Sequence, residues 1–210
     1  MKWDYEFDVV VVGSGNGALT SAICSHDGGA KTLVIEKSNQ YGGTSATSGG
    51  GVWIPNNRYA KAENVDDSDQ DARDYINSVS PEGMIKDELI ETYISEGPKM
   101  IDYLHENSQV KYRNLSHYPD YFPDNPGGKE GNRSMEPEPI NGTILGTDLG
   151  KLREQHPQTA FTMGPINMNF TQVEGQLLLG ALPGWKTLFA KLFTKYILDL
   201  RLRVIWGWNV

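Results

Sequence analysis

Two unbroken apolar runs, Val9-Val10-Val11-Val12 and Leu33-Val34-Ile35, stand among polar residues near the start of the chain. Runs of that length without alternation predict strands of a parallel sheet that is covered on both faces. The residues between them predict a helix, which places a strand–helix–strand unit at the head of the chain. Further on the period changes. Ser68, with Asp71 three residues later, suggests an N-cap and a loose capping box before Ala72, Tyr75, Ile76 and Val79. Ile85, Leu89, Ile90, Tyr93 and Ile94 keep the helical spacing. Gly97-Pro98 is expected to break that helix, and Met100, Ile101 and Leu104 to start another. Val110–Arg113 predicts a short strand, and residues 114–147 read as loop-rich. From Lys186 onward, Leu188, Phe189, Leu192, Phe193, Tyr196, Ile197 and Leu200 form one apolar helical face with basic residues around it. Such a face packs against another domain or lies on a membrane surface, and the first is the expectation.

The turn between the first strand and the first helix carries chemistry. Gly13-Ser14-Gly15-Asn16-Gly17-Ala18 fits the dinucleotide fingerprint, with Ala18 in the third small position. Gly13 makes the tight turn, Gly15 lets backbone approach a pyrophosphate, and Ala18 lets helix and strand pack closely. The helix that follows directs its free N–H groups and positive dipole end at the phosphates. Glu36 ends the second strand 21 residues after Gly15, where an acid accepts hydrogen bonds from ribose hydroxyls. After Glu36 and Lys37, residues 42–51 hold five glycines and the hydroxyls of Thr44, Ser45, Thr47 and Ser48, a stretch expected to form no regular element. It reads as backbone passing close to a flat ligand, because Val52-Trp53-Ile54-Pro55 at its end calls for burial.

Composition narrows the function classes. A length of 210 residues allows one or two domains with a real core. A net charge of −8 speaks against a general nucleic-acid binder, which needs a basic surface. The lone Cys24 is expected to be a small buried hydrophobe in the first helix; it can make no internal disulfide, which favours a reducing, cytoplasmic setting. His26, His105, His117 and His156 show no metal-ligand spacing, and no metal site is expected. Met1–Asp8 is too polar for a secretory leader, and no run approaches the ~18 apolar residues of a membrane span, although peripheral association stays open.

Several segments together resemble one family. The Gly13–Ala18 turn, Glu36-Lys37, the run Tyr41–Pro55, Ile101-Asp102-Tyr103-Leu104, and the Tyr118–Gly128 loop with Arg133 and Glu136-Pro137 are similar to the N-terminal part of flavin-dependent 3-ketosteroid dehydrogenases. The likeness is chiefly to the Δ1 type, within the fumarate reductase/succinate dehydrogenase flavoprotein group. It implies an α/β, Rossmann-like FAD-binding domain with a helical, loop-rich insertion, incomplete relative to the family. The FAD-binding part would comprise residues 1–60 and about 140–180. The insertion would be 61–139, and residues 181–210 would begin a truncated cap region.

The resemblance also implies site residues. FAD would place its pyrophosphate at Gly13, Gly15, Asn16, Gly17 and Ala18, with Glu36 on the ribose and Lys37 and Gly43 among the cofactor contacts. Thr44 and Ser45 would face the pyrophosphate, and Ser48, Gly49 and Gly50 would run beside the isoalloxazine. The family removes a C2 proton and a C1 hydride from a 3-ketosteroid, the hydride going to flavin N5. A tyrosine is the base and a second tyrosine assists. Tyr121 matches the assisting one, while the base and the groups that hold the keto oxygen have no counterpart before Val210. The implied partners are a small hydrophobic substrate and an external electron acceptor. A fumarate-reductase-like or Δ4-type flavoprotein, with Arg113 and Arg133 considered as carboxylate clamps, is the enzymatic alternative. A non-catalytic flavin-binding remnant is the other.

Overall fold

The computed structural model describes residues 4–154, 161–163, 166–168 and 171–194. The chain divides into two compact units: Met1–Gly49, Asn141–Phe170 and Leu177–Val210 in the first, and Gly50–Ile140 with Thr171–Gln176 in the second.

The first unit opens with β1 (Val9–Val12), α1 (Asn16–Asp27) and β2 (Thr32–Ile35). The strands pair in parallel from Val9 opposite Thr32 to Val12 opposite Ile35, as the apolar runs predict. Among the described residues only these two strands form the sheet. Val10 and Val12 therefore stay 51% and 78% exposed, although a parallel sheet is ordinarily covered on both faces. For the same reason α1 holds no fully buried residue, and Cys24 is exposed rather than buried. The glycine-rich stretch contains a five-residue 3₁₀ helix, Gly43–Thr47, where no regular element was expected. The Ala46 N–H donates to the Gly42 carbonyl and the Thr47 hydroxyl to the Thr44 carbonyl, local bonds that so short a turn can make despite its glycines. Backbone bonds from Tyr41 to Lys151 and Arg153 anchor the stretch to a kinked 3₁₀ segment, Gly142–Lys151. Two short antiparallel strands, β6 (Phe161–Met163) and β7 (Ile166–Met168), follow.

In the second unit β3 (Val52–Trp53), β4 (Tyr112–Asn114) and β5 (Ser134–Pro137) form an antiparallel sheet ordered β3-β5-β4. β4 begins two residues later than expected. The central strand β5 lies inside the stretch expected to be loop-rich; Ser-Met-Glu-Pro has little apolar signal, yet Met135 and Glu136 are both buried. The Glu136 carboxylate pairs with Arg113 at 2.9 Å and accepts the Gln172 N–H at 2.6 Å, at the head of α5 (Gln172–Leu179). Three helices complete the unit: α2 (Arg58–Ala62), α3 (Asp69–Val79) and α4 (Asp87–Asn107). Ser68 caps α3 through the Asp71 N–H, as predicted.

α4 does not end at Gly97-Pro98 but carries Pro98 inside it. Its Ile90 and Ile94 pack on Ala72, and its Ile101 packs with Ile54, Tyr112 and Met135. One continuous helix thus serves both cores, which outweighs the backbone bond that proline forfeits.

The segment from Lys186 is helical over 185–194, with the Phe189 and Phe193 rings stacked 6.1 Å apart. Tyr196, Ile197 and Leu200 of the expected face lie outside the described residues. Among the described residues no helix is long and apolar enough to cross a membrane.

Candidate functional site

In the first unit the fingerprint and the glycine-rich stretch meet. The Gly13 N–H donates to the Ile35 carbonyl at 2.7 Å, extending the β1–β2 ladder by one bond. Its φ of +97° then turns the chain off the sheet, a conformation a side chain resists. Gly15 is the N-cap of α1 and contributes no side-chain cap. The Asn16 N–H is taken by Ser45 Oγ at 3.0 Å. A Cβ on Gly43 would sit 3.4 Å from Gly15 Cα, so the two glycine segments touch backbone to backbone. Four of the expected cofactor residues (Gly15, Asn16, Gly43 and Ser45) are thereby brought together.

Ser14 joins this knot to the acid, a role the sequence reading missed. It is buried; its hydroxyl donates to Glu36 Oε2 at 2.5 Å and accepts the Gly42 N–H at 2.9 Å. The Ser38 N–H donates to Glu36 Oε1 at 3.0 Å. The Ser14 hydroxyl, and then the Ser38 amide, hold the Glu36 carboxyl below its usual value. The signal available in the sequence was a small hydroxyl in the middle of Gly-x-Gly. Lys37, Thr44, Ser48 and Gly49 are exposed beside the cradle.

The cradle fits a dinucleotide. A helix begins on an N-cap that supplies no capping group, at the turn where Gly13, Gly15 and Gly17 present bare backbone, and a fixed carboxylate stands at the end of the neighbouring strand.

Gly50 falls in the second unit. A Cβ there would lie 2.9 Å from Pro137 Cγ, so its want of a side chain serves the packing of β5. Tyr121, also in the second unit, is 85% exposed. Beside it Trp53, Tyr75, Ile76, Val79, Tyr118 and Phe122 line a cavity of about 290 Å³.

Arg133 is 1% exposed, with a fork committed to two carboxylates. Its Nη2 donates to Asp67 Oδ1 at 2.7 Å and its Nη1 to Asp120 Oδ2 at 3.0 Å. Arg113 is engaged by Glu136. Arg133 is thus spent on carboxylates of this chain and is not placed to clamp a substrate carboxylate. Among the described residues no cluster of His, Cys, Asp or Glu could hold a metal ion.

Comparison with known proteins agrees with this geometry. The 3-oxosteroid 1-dehydrogenase of Mycobacterium tuberculosis (strain ATCC 25618 / H37Rv) is 40% identical over 163 residues, 78% of this chain and 28% of the relative. The 4-oxocyclohexanecarboxylate 2-dehydrogenase of Sinomonas cyclohexanicum is 38% identical over 157 residues, 75% of this chain and 27% of the relative. In a crystal structure, the 3-ketosteroid Δ1-dehydrogenase from Sterolibacterium denitrificans, in complex with 1,4-androstadiene-3,17-dione, superposes with a TM-score of 0.85 at 37% identity. That match covers 94% of this chain and 34% of the other. The chain thus spans under a third of the length of the curated relatives it matches. The sequence pattern of the FAD binding domain family matches residues 8–190. On that match the chain belongs to the FAD binding domain family, and its cofactor is FAD.

Proposed function

We propose that this chain is the FAD-holding part of a dehydrogenase that desaturates a ring next to a ketone, with a 3-ketosteroid as the substrate class. The observation that carries the reading is the meeting of Gly15 with Gly43, bridged by Ser45, beside a Glu36 that Ser14 fixes. In this assignment the diphosphate lies against Gly13, Gly15, Asn16, Gly17 and Ala18. The first-turn amides of Gly17 and Ala18, which have no acceptor earlier in the helix, face it. Gly43, Thr44 and Ser45 close the other side. Glu36 has lone pairs left for ribose hydroxyls, and the exposed Lys37 lends positive charge nearby. Ser48 and Gly49 follow toward the flavin ring.

When bound, FAD supplies a two-electron acceptor for hydride. Tyr121, whose exposed phenol stands on a fixed loop, is assigned as the assisting tyrosine of proton removal. The reaction also requires an external electron acceptor to reoxidise the flavin. A cytoplasmic setting agrees with the single thiol of Cys24. The relatives' named substrates, a steroid ketone and a cyclohexane ketone, share the ring carbonyl. The steroid is preferred because the steroid enzyme is the one whose structure superposes at 0.85.

The test is a titration of the 210-residue chain with FAD, following flavin fluorescence and the melting temperature together. Saturable binding that raises the melting temperature is expected. A folded chain that leaves FAD unbound overturns the assignment of the cradle. For a chain carried over the relatives' full length, reduction of a dye acceptor with a 3-ketosteroid, but not with succinate, is the expected outcome for the substrate class.

A further inference from the structure

Tyr121 combines an open side chain with closely fixed neighbours. Asp120, just before it, is 6% exposed. The Asp120 carboxylate accepts from Trp53 Nε1 at 2.6 Å, from Arg133 Nη1 at 3.0 Å and from the Lys129 N–H at 3.1 Å. Its own N–H donates to the Lys129 carbonyl at 2.9 Å, which closes the 121–128 loop at its base. Phe122, just after Tyr121, donates its N–H to the Tyr75 hydroxyl at 3.3 Å. The tip of the loop is fixed as well: a Cβ on Gly127 would lie 2.0 Å from the Asp71 carbonyl oxygen, so loop backbone rests directly on α3. Among the described residues nothing engages the Tyr121 hydroxyl itself.

Behind Asp120, Arg133 lies against both the Trp53 and Tyr75 rings, 5.4 and 5.8 Å from their centroids, and its fork also takes Asp67. Asp67 in turn accepts the N–H groups of Asn56 and Ser68. Two carboxylates and one guanidinium have therefore been taken out of water at a place where apolar residues of similar size would hold a core as well or better. What the ionic cluster supplies, and apolar packing would not, is direction: every bond to Asp120 fixes the backbone that carries Tyr121.

We propose that Arg133 is a positioning residue for Tyr121, acting through Asp120 to hold the loop backbone so that only the tyrosine side chain remains to be oriented. The proposal rests on the assignment of Tyr121 as the assisting tyrosine.

The test uses the FAD-loaded 210-residue chain and the variants D120N, W53F, R133K and Y121F. D120N removes the charge that Arg133 holds while keeping the shape, and W53F removes one donor if D120N fails to fold. With a 3-ketosteroid and a dye acceptor, D120N is expected to lower kcat by about 10- to 100-fold, the scale of a displacement near 1 Å, with KM within about threefold. R133K, which keeps charge without the fork, should fall between D120N and wild type.

A residue that acts through Tyr121 has little left to do once the phenol is gone, so D120N in the Y121F background should cost less than about a further twofold. Additive losses overturn the proposal. If the wild-type chain by itself turns over no 3-ketosteroid, amide hydrogen exchange decides the positioning role alone. About a tenfold loss of protection at Phe122 and Lys129, confined to residues 118–129 of D120N or W53F, supports it. Unchanged protection, or a loss spread over α4 and β1–β2, overturns it.

Discussion

Replacing Gly15 with alanine separates the approach of the cofactor from the folding of the cradle. Gly15 has φ −74° and ψ 174°, extended backbone that alanine adopts without strain. An added Cβ would meet Ser45 Oγ at 3.5 Å, an ordinary contact. Restricting the unfolded chain favours alanine by about 0.4–1 kcal/mol, while alanine at an N-cap gives back a similar amount. The net change in stability is expected within about 0.5 kcal/mol. Bound FAD should be affected differently. A methyl group at the closest point of the backbone pushes the diphosphate off one first-turn amide, and a hydrogen bond to a charged group is worth about 1.5–3 kcal/mol. At 1.4 kcal/mol per tenfold, the Kd should rise about 10- to 150-fold.

Fluorescence titration and thermal melting of the same samples measure both quantities. Gly13→Ala provides the opposite pattern: alanine at φ +97° stores about 1–3 kcal/mol of strain, so the melting temperature falls by several degrees. A Gly15→Ala chain that binds FAD within threefold of wild type, at equal melting temperature, would refute the backbone-approach reasoning.

Ser14→Ala should raise the pKa of Glu36 toward its ordinary value of 4.5, because the hydroxyl is the largest influence lowering it. A depressed carboxyl adds stability that is complete above its unfolded pKa and lost as pH falls through the folded one; in the variant the two values draw together, so less stability is present at neutral pH and less is lost on acidification. Carboxyl NMR titration reads the shift, and an unmoved Glu36 counts against the assigned bond. Asn57, fully buried, caps α2 through the Tyr59 and Ala60 N–H groups and donates to the Ile54 and Asn132 carbonyls. Asn57→Ala should cost about 2–4 kcal/mol in urea unfolding, and a loss under about 1 kcal/mol would show the network to be dispensable. Gly127→Ala must lift the loop from α3, since its Cβ has no room beside the Asp71 carbonyl. Protease cleavage within 121–131 should quicken by about tenfold or more, with unchanged cleavage as the contrary outcome.

Local patterns were legible and distant pairings were not. β1, β2 and the glycine turn follow from contiguous apolar runs and from small residues at fixed offsets, and Ser68 before α3 carries its cap within three residues. The cradle could be anticipated as a set of residues, but not the Ser14 hydroxyl that ties Glu36 to Gly42. That bond joins residues 22 and 28 positions apart, through a side chain the fingerprint leaves unspecified. The partners of Arg133 could not be read because they stand 66 and 13 residues away. β5 was hidden because buried Glu136 is satisfied by Arg113 and by the start of α5, neither of them near in sequence. Pro98 misled because a local rule was applied where packing on both sides of the residue decides.

The exposed valines of β1 have a consequence for affinity. Two short parallel strands with little cover are marginally stable by themselves, and the Gly13 turn hangs on the last rung of that pair. The cradle is therefore expected to be only partly populated before FAD arrives, so that the measured affinity is the intrinsic one scaled by that populated fraction. Any substitution that stiffens β1 against β2 should tighten flavin binding without touching the flavin.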